Sequence, residues 1–276
     1  MQLRTFCFIA LLIGTTACAA MQPVNPGSPR ANQPPYPAVL AEQPKRTEAA
    51  LAAWEQITSA QGLRNAPQVP LQPITATISH LPQNLSGNLY LAKVGTSTPM
   101  NEEERRESLR RFLNEWKTLL GADPAQLTLV NDTVGNDGTR TVLFEQRTFP
   151  YPLRGDYGKV SVRFAPDRRL IDVSSTAVPD GERIQAALRA AALQVRNKPI
   201  DPKLNGRAII YTDSTGTHTV TLGPEVQAPE PQLVTYPRIG TTTLEMRLAY
   251  EINVVNAPVK VVYLDALEDQ IIAALP

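Results

Sequence analysis

The sequence predicts an α+β fold of two consecutive units, each a helix packed across its own curved antiparallel sheet. Two observations carry this. The spacing of apolar residues switches from about 3.6 to 2 at Gly121, where a helical stripe gives way to alternating runs. The same switch recurs after a second helical stripe that starts near Asp180, as expected when helices and strands alternate in blocks. An N-terminal apolar run and a proline-rich stretch set both units apart from a leader.

Arg4 precedes an apolar run from Phe6 to Ile13, followed by Gly14-Thr15-Thr16-Ala17-Cys18. The run is too short to span a bilayer, so residues 1–17 are expected to be a secretory signal peptide. Two processing outcomes fit. Ala17-Cys18-Ala19 satisfies the small-x-small rule of ordinary signal peptidase, whereas Thr15-Thr16-Ala17-Cys18 resembles a bacterial lipobox with Thr15 in place of an aliphatic residue. In the second outcome Cys18 is diacylated and becomes the mature N-terminus. Cys7 lies inside the signal, which leaves Cys18 without a disulfide partner, and lipidation gives that cysteine a role. The expected location is the bacterial envelope. Ala19 is not the Asp that retains many lipoproteins at the inner membrane, so in a Gram-negative host the expectation is the outer membrane.

Residues 18–46 carry Pro23, Pro26, Pro29, Pro34, Pro35, Pro37 and Pro44 among polar and small residues. Such a stretch is expected to be an extended tether. At a polyproline rise of about 3.1 Å per residue it reaches up to ~80 Å from the membrane.

The folded part then divides at 178, into 47–178 and 179–276. Thr47 to Gly62 reads as a short helix with Leu51, Trp54, Ile57 and Thr58 on one stripe. Leu63 to Thr98 contains prolines and short alternating runs such as Ile74 to Ile78, which predict one or two irregular strands. Asn101 and Glu104 form a capping-box pattern ahead of Leu109, Phe112, Leu113, Trp116, Leu119 and Leu120, and Gly121 ends that helix. Strands follow at 127–130, 141–146, 160–164 and 170–173, with Asn136-Asp137-Gly138 as a tight turn and a loop around Pro150-Tyr151-Pro152. Asp180 is expected to cap a helix that shows Ile184, Ala187, Leu188, Ala191 and Val195 on one face. Strands are expected at 208–211, 232–236, 244–254 and 259–263, with a short last one at 270–272.

Several of these residues resemble a known pair of modules. Arg111-Phe112-Leu113, Leu143-Phe144-Glu145-Gln146, Pro152-Leu153-Arg154-Gly155 and Val160-Ser161-Val162 occur in the order of the FTP (fungalysin/thermolysin propeptide) module. Leu248-Ala249-Tyr250-Glu251-Ile252, Tyr263-Leu264-Asp265-Ala266 and Ile271-Ile272 are similar to the PepSY signature. Tyr151 stands where the first module has Gly, and Leu267-Glu268-Asp269 replaces the Gly that follows Asp-Ala in the second. In the family this pair, with its PepSY/cystatin-like architecture, is the pro-region of a secreted zinc metallopeptidase, acting as intramolecular chaperone and temporary inhibitor. The resemblance covers roughly residues 65–276 and implies a stand-alone pro-region acting in trans, tethered through Cys18. Its implied contacts are Pro152, Leu153 and Gly155 in the loop, with Ile271, Ile272 and Leu275 in a C-terminal segment that ends at Pro276. The rival reading is an envelope binding or assembly module with no peptidase partner.

Other chemistries find little support in the sequence. A net charge of +1 lacks the basic excess that gathers nucleic-acid phosphates, and Glu102 to Glu107 interleaves both signs as a solvated helix face does. His80 and His218 are the only histidines, and neither sits in a His-Glu-x-x-His pattern. No cofactor, metal or catalytic residue is expected. Glu251 and Asp265 are the one conceivable carboxylate pair for acid–base work, and a role in folding fits their strand positions better. Arg154-Gly155-Asp156 spells an integrin-binding tripeptide, which occurs too often by chance to carry weight.

Overall fold

The computed structural model describes residues 35–63, 65–85, 89–97, 100–195, 204–228 and 230–276. The signal peptide 1–17, Cys18 and the tether as far as 34 lie outside these described residues. The tether expected over 18–46 ends earlier than its composition predicts. Ala38–Ala41 form a strand, β1, and α1 (Pro44–Ala60) starts on a proline at its first turn, where the missing N–H costs nothing. Ala38 and Leu40 of β1 are fully buried, so two apolar side chains on one face outweigh the flanking prolines.

The alternating run Ile74 to Ile78, expected as a strand, is a buried loop. Gln72 N donates to Thr77 O at 2.7 Å, and Ala76 takes a positive φ of 53°. Thr75 and Thr77 join their hydroxyls at 2.8 Å, and Thr77 Oγ1 donates to Ser175 O. Alternation arose here from a turn sandwiched between two layers.

α2 (Glu102–Leu120) follows its sequence signals closely. Glu104 N donates to Asn101 Oδ1 and Asn101 N to Glu104 Oε2, at 2.9 and 3.0 Å, completing the capping box. Gly121 ends the helix at φ 73°, and a Cβ there would collide with Thr77. Trp54 of α1 meets Trp116 of α2 edge-on, with ring centroids 6.2 Å apart.

β2 (Leu127–Val134), β3 (Arg140–Gln146), β4 (Lys159–Phe164) and β5 (Leu170–Ser175) form an antiparallel meander in that order. Val142, Val160, Val162, Leu170 and Val173 face α2, where Phe112, Leu113 and Trp116 close the first core. The free side of β5 is covered, because Ser175 N donates to Ile78 O and Leu170 N to Leu89 O.

α3 (Gly181–Val195) follows. Asp180 sits at φ 58°, and its carboxylate takes Arg46 Nη2 at 2.9 Å instead of serving as the expected side-chain cap. β6 (Ala208–Asp213) and β7 (Gly216–Thr221) make a separate hairpin, of which only the first strand was expected. β7 alternates Thr217, Thr219 and Thr221 with His218 and Val220, too polar a set to announce a core face.

β8 (Gln232–Ile239), β9 (Thr243–Asn253), β10 (Val261–Asp265) and β11 (Ile271–Leu275) build the second sheet with β1. β9 is its spine: β8 pairs along one edge, while β1 and β10 share the other. α3 covers one face, with Ile184 and Leu188 against Leu40, Leu244 and Met246, and Ala191 and Val195 in the cluster of Leu248 and Ile252. β1 lies within the stretch 18–46 expected as a tether, yet it belongs to the second sheet. The last strand also runs further than 270–272. Residues 273–275, beyond the expected end of that strand, pair with β10 from Val261 to Tyr263.

Candidate functional site

Along β9 the even residues Leu244, Met246, Leu248 and Ile252 point at α3, as period-2 geometry requires. The odd residues Glu245, Arg247, Ala249 and Glu251 therefore line the opposite, open face. On it Val234, Ala249 and Tyr263 form a small cluster, against which Tyr236, Val261, Ile272 and Ala273 pack half-buried. Tyr236 and Tyr263 lie with ring centroids 4.2 Å apart, tilted by 33°.

One margin of this face is built by the loop over 150–155. Leu153 bridges Thr235 in parallel, Arg154 N donates to Thr235 O at 3.0 Å, and Thr235 N donates to Pro152 O at 2.9 Å. The loop thus extends the sheet beyond β8. Arg154 then reaches across β8 and holds Glu251 through Nε and Nη2, at 2.6 and 3.0 Å. Tyr263 Oη donates to the same carboxylate at 3.0 Å. Burial alone would raise the Glu251 pKa, but the Arg154 and Tyr263 hydrogen bonds outweigh it and hold the carboxyl below its ordinary range. The Tyr263 phenol is pushed far up, by burial first and then by its bond to Glu251.

The six expected contact residues divide between the two sides of the sheet. Pro152 and Gly155 are exposed in the loop, with Gly155 at φ 75° beside Pro237. Leu153 turns inward to the core shared by β1 and α3, and a Cβ at Gly158 would collide with it. Ile271 faces the helix side, Ile272 faces the open side, and Leu275 is exposed at the end of β11. Loop and last strand therefore border opposite margins of one face. Arg154, Tyr236 and Tyr263 complete that face.

Beneath the loop is a cleft of about 440 Å³, lined by Gln146, Phe149, Tyr151, Leu153, Tyr157 and Lys159 among others. Its back wall is fixed by Gln146, which donates to Val178 O at 3.0 Å and accepts from Val178 N at 2.9 Å. That side chain ties β3 to the segment leading into α3.

Asp265 occupies the other end of the open face. Its oxygens accept from Arg247 Nη1 at 2.8 Å, from Tyr36 Oη at 3.0 Å, and from the backbone of Leu267 and Glu268 at 2.8 Å each. Leu248 N in turn donates to Tyr36 Oη, which fills the gap between β1 and β10 on the edge of β9. Burial first, and then the Asp265 charge, raise the Tyr36 phenol well above its ordinary value. Glu251 and Asp265 are thus each engaged by donors from the protein itself.

His218 Nε2 lies 3.1 Å from Asp213 and stacks on Tyr211, while His80 Nδ1 meets Ser79 at 3.1 Å. Among the described residues no three His, Cys, Asp or Glu side chains are grouped to hold a metal ion, and no helix is long and apolar enough to cross a membrane. No protein-family model matches the chain, and no curated protein matches it.

Proposed function

We propose that this chain is a membrane-tethered, non-enzymatic binding protein that acts in trans as a metallopeptidase pro-region does, as inhibitor or folding chaperone of a secreted zinc metallopeptidase. The observation that supports this reading is the open face of the second sheet. A pro-region must offer its enzyme a preformed surface, and here the loop carrying Pro152 and Gly155 is clamped by Arg154 to Glu251 on one margin. Ile272 and Leu275 stand on the other, with the Tyr236–Tyr263 pair between them. The half-exposed ring of Tyr236 offers contact area at little conformational cost, backed by the buried Tyr263, and rigid aromatic residues of this kind anchor interfaces. The partner would seat over this face, and its own substrate cleft would be covered by the loop.

The test is inhibition and binding of thermolysin-like enzymes secreted by the same organism, using the full chain. Tyr236→Ala combined with Leu275→Glu is expected to weaken inhibition tenfold or more, equivalent to about 1.4 kcal/mol. If the full chain neither binds nor inhibits any such enzyme, the peptidase reading fails and an envelope assembly role takes its place. The tether is tested separately. Wild-type protein should partition with membranes, and Cys18→Ser should release it or block its processing, because stable attachment needs more than one acyl chain. Soluble wild-type protein with an intact Ala20 start would overturn the lipid anchor.

A further inference from the structure

The first unit carries an unfilled place of its own. β2 is the end strand of its sheet and pairs only with β3 among the described residues. Leu129 stands opposite the buried Phe144 and so points to the helix side of the sheet, yet it is 50% exposed. Val134, opposite Arg140, is 57% exposed. An apolar side chain on the core side of an end strand becomes exposed when the helix above stops short of covering it. Between α2 and β2 the result is a groove of about 330 Å³, with Leu109, Leu113, Leu127, Leu129 and Phe144 lining it.

The rim has a sign. Arg105, Arg106 and Arg110 of α2 border the groove, against Glu102 and Asp132. Arg105 is drawn to Asp132 at 3.7 Å, while Arg106 and Arg110 are mostly exposed and hold only helix-surface partners, Glu102 at 3.2 Å and Glu107 at 2.7 Å. Surface pairs of this kind contribute little and exchange readily for a better-placed carboxylate.

We infer that the α2–β2 groove binds an extended peptide segment laid along the free edge of β2, in which the side chains facing α2, every second residue, are apolar and acidic by turns. The backbone of such a segment meets the unpaired N–H and C=O groups of β2, its apolar side chains enter beside Leu129, and its carboxylates reach Arg106 and Arg110. This surface is independent of the open face of the second sheet, and either can fail alone.

The experiment titrates the full chain with a fluorescein-labelled glutamate peptide, in which valine and glutamate take turns at every second position with threonine between them, and uses the same peptide with lysine in place of glutamate as control. The glutamate peptide is expected to bind, to weaken as salt rises, and to slow amide hydrogen exchange along 129–134. Arg106→Glu with Arg110→Glu, both at the exposed surface, should weaken binding tenfold or more without lowering the melting temperature by more than a degree or two, and Leu129→Glu should do the same. Equal binding of the lysine peptide overturns the inference, as does glutamate-peptide binding that the arginine variant leaves unchanged. So does the absence of binding together with a dimer that Leu129→Glu dissolves, which would make the groove a contact between copies.

Discussion

Glu251 joins two stretches of chain that sequence reading keeps apart: Arg154 lies 97 positions before it and Tyr263 12 positions after. No local pattern encodes such a meeting, and for that reason the Arg154-Gly155-Asp156 tripeptide looked like chance while its arginine was a structural clamp. What the sequence did show was Glu251 on a strand where a carboxylate had a folding role. Glu251→Gln should lower the unfolding free energy at pH 7 by about 1 kcal/mol once the partial exposure of Arg154 is discounted. The folded carboxyl titrates below its ordinary 4.5, so its contribution is present in full above that pH and drains away as pH falls through the depressed value. Melting curves of wild type and Glu251→Gln should therefore converge as pH falls below about 4.5. A gap that stays constant however far pH falls below 4.5 would show that the clamp works by packing alone.

Among the elements, α2 was legible because its signals agree: a capping box, an apolar stripe and a glycine stop. Asn101→Ala should cost about 1 kcal/mol in a denaturant titration, and Trp116→Ala, which empties a fully buried site beside Phe112 and Trp54, about 3–5 kcal/mol. β11 was legible only in part. Ile271 and Ile272 stand out as apolar, but Ala273 and Ala274 do not, and it is Ala274 that is buried against the helix-side core. Deleting Ala273 to Pro276 removes the ladder to Val261–Tyr263 and the bond from Lys260 N to Leu275 O, so it should lower thermal stability measurably. Ile74 to Ile78 misled for the opposite reason. Its period matched a strand, while its threonines satisfied each other inside a turn.

For the molecule as a whole, the α+β class followed from two changes of period, because each rests on many residues at once. The route of the N-terminal segment did not, since four residues are too few to weigh against the prolines around them. A protein starting at Glu42 should melt roughly 4–8 °C below one starting at Pro35, given about 2 kcal/mol for burying Leu40 and its neighbours. Equal melting temperatures would show that β1 is dispensable. The position of β1 also bears on mechanics. The described chain begins beside the second sheet, at Tyr36 and β1, and returns to the same sheet at β11. A pull between the two chain ends is therefore borne first by that sheet, through the Tyr36 bonds, the four-residue ladder of β1 and the five-residue β11. The first sheet, with its paired tryptophans, lies off this line of force and is loaded only after one of those strands has let go. In an optical trap the extension should rise in two steps, a small one as a terminal strand detaches and a large one as the remainder unravels.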